Sequence, residues 1–255
     1  MLRNLALAAV LLALLAVPLA GASYTITHIT TQLSLNANNT ASVREIYTIY
    51  LTNSSISQYQ SSRSALNLTL SNWQPIIGSA LTQHIINPKS GVYGFKLFPG
   101  PLTTSITGEQ LADIIITYGV KNVTSVREIA PRVFFYSFNT QVLNFQYGPS
   151  GEILDPNTTL TIIMPSGATI KNVYPVPDLP ANLLTSNFTN VTSMSWFYQE
   201  PLSKFSLTFT TQQSVQGEVI AFFSAAYNFL GVFTYILIIL VVFFFILYTY
   251  LKVER

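Results

Sequence analysis

Seven Asn-x-Ser/Thr tripeptides, at Asn38, Asn53, Asn67, Asn122, Asn157, Asn187 and Asn190, form the most frequent chemistry-bearing pattern in this chain. A carboxamide followed two residues later by a hydroxyl is the acceptor for N-glycosylation, so the chemistry in view is modification on the export route. Roughly four such tripeptides would arise by chance at this abundance of Asn, Ser and Thr, which makes seven a modest excess. Asn38, Asn53, Asn157, Asn187 and Asn190 fall in predicted loops where a glycan fits, whereas Asn67 falls inside a predicted strand.

Residues suited to catalysis are sparse. With no cysteine in the chain, disulfides, thiolate nucleophiles and cysteine-ligated metals are excluded. His28 and His84 are the only histidines, and neither has a partner at metal-ligand spacing. Each reads as an ordinary polar residue, on a strand face or at a helix end. No Gly-x-Ser-x-Gly elbow and no phosphate-cradling glycine loop occurs. Nine acidic residues lie between Ser23 and Glu218, enough for a glycosidase pair, but none is marked by its surroundings. The reading is therefore of a protein that is not an enzyme and needs no cofactor or metal.

Composition narrows the partners. Only 9% of the residues are charged, and the same stretch holds nine Lys/Arg against its nine acids. A neutral exterior gives no electrostatic reason to bind nucleic acid. The lack of cysteine in an exported chain favours a prokaryotic, and particularly an archaeal, source.

The two ends set the expected topology. Residues 1–22 have the basic start (Arg3), the apolar core (Leu5 to Val17) and the Ala20-Gly21-Ala22 ending of a signal peptide, with cleavage after Ala22. Leu230 to Leu251 is a run of 22 residues without a charge, and 16 of them are Leu, Ile, Val or Phe. As a helix it covers roughly 33 Å, against a hydrocarbon core of about 30 Å. Lys252 and Arg255 follow it, which places the C-terminus inside. Tyr227, Tyr248 and Tyr250 stand where interfacial aromatics are expected. The expectation is a type I, single-pass cell-membrane protein with the lipid bilayer as one partner, an extracellular body and a cytoplasmic tail of residues 252–255.

Between the ends the chain reads as mainly β, an antiparallel β-sandwich built as one large unit or as two stacked immunoglobulin-like units. The expected division is 23–120 and 121–213, with Lys121 to Pro131 as the junction and a juxtamembrane and membrane helix over 214–251. Opposite alternation phases before and after His28-Ile29 predict a bulge there, Asn36–Asn39 a turn, and Ser42–Thr52 a strand with Val43, Tyr47, Ile49 and Leu51 on one face. Residues 53–63 read as a polar loop and Ala65–Leu70 as a short strand. One inserted helix is expected over Trp73–Ile85, capped by Ser71-Asn72. Further strands are expected at Gly91–Phe98, ending before Pro99, around Ala112–Tyr118, and at Val133–Phe138, Val142–Tyr147, Leu160–Met164, Ile170–Val173, Met194–Tyr198 and Phe205–Thr210. Trp73 and Trp196 read as core. Ser214 is the expected cap of the last helical region, with a kink near Gly231.

The stretch Leu160-Thr-Ile-Ile-Met-Pro-Ser-Gly-Ala-Thr-Ile170, with Tyr174-Pro-Val-Pro177 and Trp196, resembles archaeal membrane-anchored surface proteins of unassigned function. In these an apolar strand ending in Pro-x-Gly precedes a proline-rich link and a Trp-bearing strand. The resemblance implies a β-sandwich ectodomain with one C-terminal anchor and carries no catalytic residue across. The resulting expectation is a non-enzymatic binding or structural module that meets protein or glycan at the cell surface. The alternative is an accessory subunit of an export or glycosylation assembly, with Gly231, Thr234 and Phe243–Phe245 against partner helices.

Overall fold

A computed structural model of the chain describes residues 24–65, 69–86, 91–149, 151–180, 191–197, 200–231 and 233–253. The expected signal peptide with Ala22, the sequons at Asn67, Asn187 and Asn190, and Arg255 lie outside the described residues, as does the side chain of Lys252.

The protein is mainly β. Long hairpin strands β1 (Tyr24–Leu35) and β2 (Thr40–Leu51) are joined through Asn36–Asn39, where Asn39 takes the left-handed conformation (φ 63°) that asparagine tolerates. The register slips between Ile26 and His28, the bulge that the alternation predicted. Strands β3 (Val92–Thr104) and β4 (Gln110–Lys121) follow, then β5 (Thr124–Ala130), β6 (Val133–Phe138), the short pair β7 (Gln146–Gly148) and β8 (Gly151–Ile153), β9 (Thr158–Ile163), β10 (Thr169–Tyr174), β11 (Ser193–Trp196) and β12 (Ser206–Gln212).

One sheet runs β11-β9-β1-β2-β4-β3, a second β10-β12-β6-β5 and a third β7-β8. Every pairing is antiparallel except β1 with β9. The largest sheet draws strands from both sides of residue 121. A single core joins the two large sheets: Trp196 of β11 meets Phe205 at 5.1 Å between ring centroids, and Phe205 meets Phe138 of β6 at 5.5 Å. Trp73 and Trp196 are fully buried, as expected.

Four local expectations are corrected. The polar stretch after β2 is a helix, α1 (Asn53–Ser64), not a loop. Its hold is tertiary: Tyr59 is fully buried, donates to the Gly100 carbonyl at 2.8 Å and packs 5.4 Å from Trp73. The helix expected over Trp73–Ile85 is instead α2 (Leu70–Ile77), starting where a strand was expected to end and stopped by Gly78 at φ 115°. Leu81 and Ile85 are buried from an irregular segment rather than a helix face. Strand β3 passes through Pro99-Gly100-Pro101, tolerable because β3 is an edge and bulges between Pro99 and Leu102. The expected junction from Lys121 contains β5, reached through Asn122 at φ 56°.

At the C-terminal end, α3 (Val215–Leu230) is capped by Ser214, whose hydroxyl accepts from the Gly217 N–H at 3.0 Å. Gly231, at φ 57°, ends α3, so the helix expected from Leu230 begins instead as α4 (Phe233–Val253). Counted over the described residues, no helix is long and apolar enough to cross a membrane; the side chains at 234, 237, 247 and 251–253 of α4 lie outside them.

Candidate functional site

Strand alternation buries every second residue of β2, and at one of those inward positions the sequence places an acid. Glu45 is fully buried between Val43 and Tyr47. Its partner arrives from the irregular segment after α2, where His84 is 1% exposed. Glu45 Oε1 accepts the His84 backbone N–H at 2.9 Å and the Tyr118 hydroxyl from β4. Oε2 accepts the Tyr47 hydroxyl at 2.8 Å and His84 Nδ1–H at 2.9 Å. The Tyr47 hydroxyl also lies against the Thr82 carbonyl.

The far side of the imidazole meets Asp155, in the loop before β9, whose Oδ2 accepts from Nε2–H at 3.1 Å. Asp155 Oδ1 accepts the Gln146 N–H at 3.1 Å. Phe145 stacks on the ring at 4.8 Å between centroids. Burial pulls the His84 pKa down, but the hydrogen bonds and charges of Asp155 and Glu45 outweigh it and raise the value to about 9. The Tyr47 and Tyr118 hydroxyls are pushed up, first by burial and then by the Glu45 charge. At neutral pH His84 is therefore an imidazolium with both nitrogens donating.

That state decides the chemistry. An imidazolium without a lone pair is no general base. Among the described residues no three His, Cys, Asp or Glu side chains converge to hold a metal ion. The cluster instead pins the 78–86 segment and the Asp155 loop to β2 and β4. Removing one partner of such a buried pair is costly, because it leaves the other charge uncompensated.

Above the cluster lies a cleft of about 540 Å3. Ile26 and Ile29 of β1, Pro156 and Phe145 supply its apolar walls; Ser79, Thr82, Asn144, Gln146 and Asn157 supply hydroxyl and amide groups. Asp155, 24% exposed, is the carboxylate that reaches it.

The cleft and the α3 exit stand at opposite ends of the strands. Gln213, just before α3, donates to the Arg132 carbonyl at 2.8 Å, Tyr136 to Ala37 at 3.1 Å and Val123 to Asn39 at 3.4 Å, which gathers those turns at the α3 end. Ile26 lies nine residues back along β1 from Leu35, about 30 Å at 3.3–3.4 Å per residue. Of the sequons, Asn38 and Asn122 belong to the α3 end; Asn53, at the start of α1, and Asn157 belong to the cleft end. All four are exposed. The expectation of a loop holds for Asn38 and Asn157, while Asn53 opens a helix instead. Tyr227, Tyr248 and Tyr250 are exposed on α3 and α4.

His84 was visible in the sequence only as one of two isolated histidines, and Glu45 and Asp155 only as two of nine acids. The one available signal was Glu45 at an inward position of an otherwise apolar face, between Val43 and Tyr47. His28 is exposed beside the β1 bulge and takes no part.

No family model matches the chain, and no curated protein matches it. Among solved structures, the NMR structure of the folded domain of LppM from Mycobacterium tuberculosis is similar at a TM-score of 0.26 and 8% identity, over 76% of this chain and 95% of that one. A likeness at that level carries no argument about function.

Proposed function

We propose that this chain is a membrane-anchored, envelope-exposed β-sandwich protein that acts as a non-enzymatic binding module at the cell surface. The observation that carries the reading is the placement of the cleft, lined by Ile29 and Ile26, about 20–30 Å along β1 from Leu35, at the end where the chain enters α3. With α3 and α4 at the bilayer, that placement turns the cleft outwards. The anchor rests on the sequence from Leu230 to Leu251, uncharged throughout, and on the exposure of its apolar side chains. Phe243, Phe244, Phe245 and Ile246 are each at least 58% exposed, an arrangement that water disfavours and lipid does not. Signal-peptide removal, a type I orientation and glycans on the exposed sequons belong to the same reading.

Carbonate washing of membranes and protease treatment of intact cells test it together. The chain stays in the pellet, and added protease degrades the body while sparing the anchor. Recovery in the aqueous fraction after lysis, or a body that external protease leaves intact, refutes the reading. A stoichiometric multi-span protein recovered in gentle detergent would favour the accessory-subunit alternative.

A further inference from the structure

Three properties of the cleft narrow what fits it. First, it has no cation to offer: none of its described lining residues is Lys or Arg, and His84 is 1% exposed and held by two carboxylates. Among the described lining residues, phosphate, sulfate and carboxylate ligands find no counter-charge. Second, Asp155 is a poor seat for a bare cation, because each of its oxygens already accepts a hydrogen bond, from His84 and from the Gln146 N–H. Its remaining lone pairs suit a neutral donor. Third, the other polar groups are hydroxyls and carboxamides, on Ser79, Thr82, Asn144, Gln146 and Asn157, which donate and accept at once. That is the complement of a ligand whose own groups also do both. Ile26, Ile29 and Pro156 add an apolar wall for a C–H face. The volume, about 540 Å3, falls within the roughly 300–1,000 Å3 of small-ligand sites.

We propose that this cleft binds a neutral, polyhydroxylated ring, a glycan unit, with Asp155 and the carboxamides of Gln146 and Asn157 reading its hydroxyls. The inference rests on the binding-module reading and names the ligand class of that site. It also gives the Asn157 sequon a consequence: a glycan attached there would stand at the mouth of the cleft, so modification of Asn157 and capture of a free glycan compete.

Two variants separate the carboxamide from the modification. Thr159→Ala removes the sequon and keeps the Asn157 amide. Asn157→Gly removes both, and glycine accepts the φ of 58° found there. The full chain of each variant, in lipid nanodiscs, is titrated by ligand-observed NMR with neutral hexose and N-acetylhexosamine oligosaccharides, a uronic-acid oligosaccharide and an alkylammonium ion. Expected are saturable binding of a neutral oligosaccharide to Thr159→Ala, binding to Asn157→Gly weaker by about five- to tenfold, and no binding of either charged probe. The proposal is overturned if no neutral oligosaccharide binds Thr159→Ala, if both variants bind it equally, or if a charged probe binds better. A chain that pellets with membranes yet binds no neutral sugar refutes the ligand class alone; one that stays in the aqueous fraction refutes the anchoring.

Discussion

Replacing Glu45 by Gln tests the buried cluster at its centre. The carboxylate is fully buried and accepts four hydrogen bonds, from the His84 N–H, His84 Nδ1–H, Tyr47 and Tyr118. A carboxamide has one accepting oxygen, so in either orientation its NH2 points at two donors. Among the described residues His84 is then left with Asp155 as its counter-charge. Breaking a buried pair by neutralising one partner costs about 3–5 kcal/mol. For a body of this size each kcal/mol lowers Tm by about 2–4 °C, so the expected fall is roughly 6–20 °C. Trp73 and Trp196, both fully buried, report unfolding by fluorescence of the full chain in detergent, and urea titration gives the free energy. A loss below about 1 kcal/mol at neutral pH, with an unchanged urea slope, would refute the view that this carboxylate holds the segment in place.

Three further outcomes are expected. The His84 pKa is about 9 in the folded state, above its ordinary 6.5. Its contribution is thus complete below about pH 6.5 and lost as pH rises through about 9, amounting to about 3 kcal/mol. The urea midpoint should fall between those values while Glu45, Asp155 and Tyr47 stay in contact with the ring and Tyr118 with Glu45, and a flat profile contradicts the assignment. Tyr118→Phe removes a donor to Glu45 and the acceptor of the buried Ile85 N–H at 3.1 Å; a loss of about 1–3 kcal/mol is expected by urea titration. Gly78→Ala forces a side chain into φ 115°, where open space rather than a clash surrounds the added carbon; the expected cost of about 1–3 kcal/mol is conformational and should be read as a Tm shift without change in fluorescence spectrum.

Much of the body is legible in the residues because strand burial repeats every second position and the inner face of β2 is almost wholly apolar. Val43, Tyr47, Ile49 and Leu51 all turn inwards as their spacing predicts, and so do Phe205, Leu207 and Phe209. The Ile26/His28 slip and the Ser214 cap were also legible, because each depends on neighbours a few residues away. Helix α1 was not: its apolar content is Ile56 and Tyr59, and what holds it is Tyr59 against Gly100 and Trp73, distant in the chain.

The residues alone determined what this chain can bury and that it forms no disulfide. Alternation yields sheets, the uncharged run from Leu230 yields an apolar helix, and the lack of cysteine removes disulfides. All of these follow from local chemistry and need no knowledge of what meets what. The tertiary structure alone decided that Glu45, His84 and Asp155 are one object, since they lie 39 and 71 residues apart in pairs. Only the closing of β1 between β2 and β9 brings their elements together. The physical reason is range: a hydrogen bond acts over about 3 Å, and no periodicity in a sequence records which distant segments will come within it.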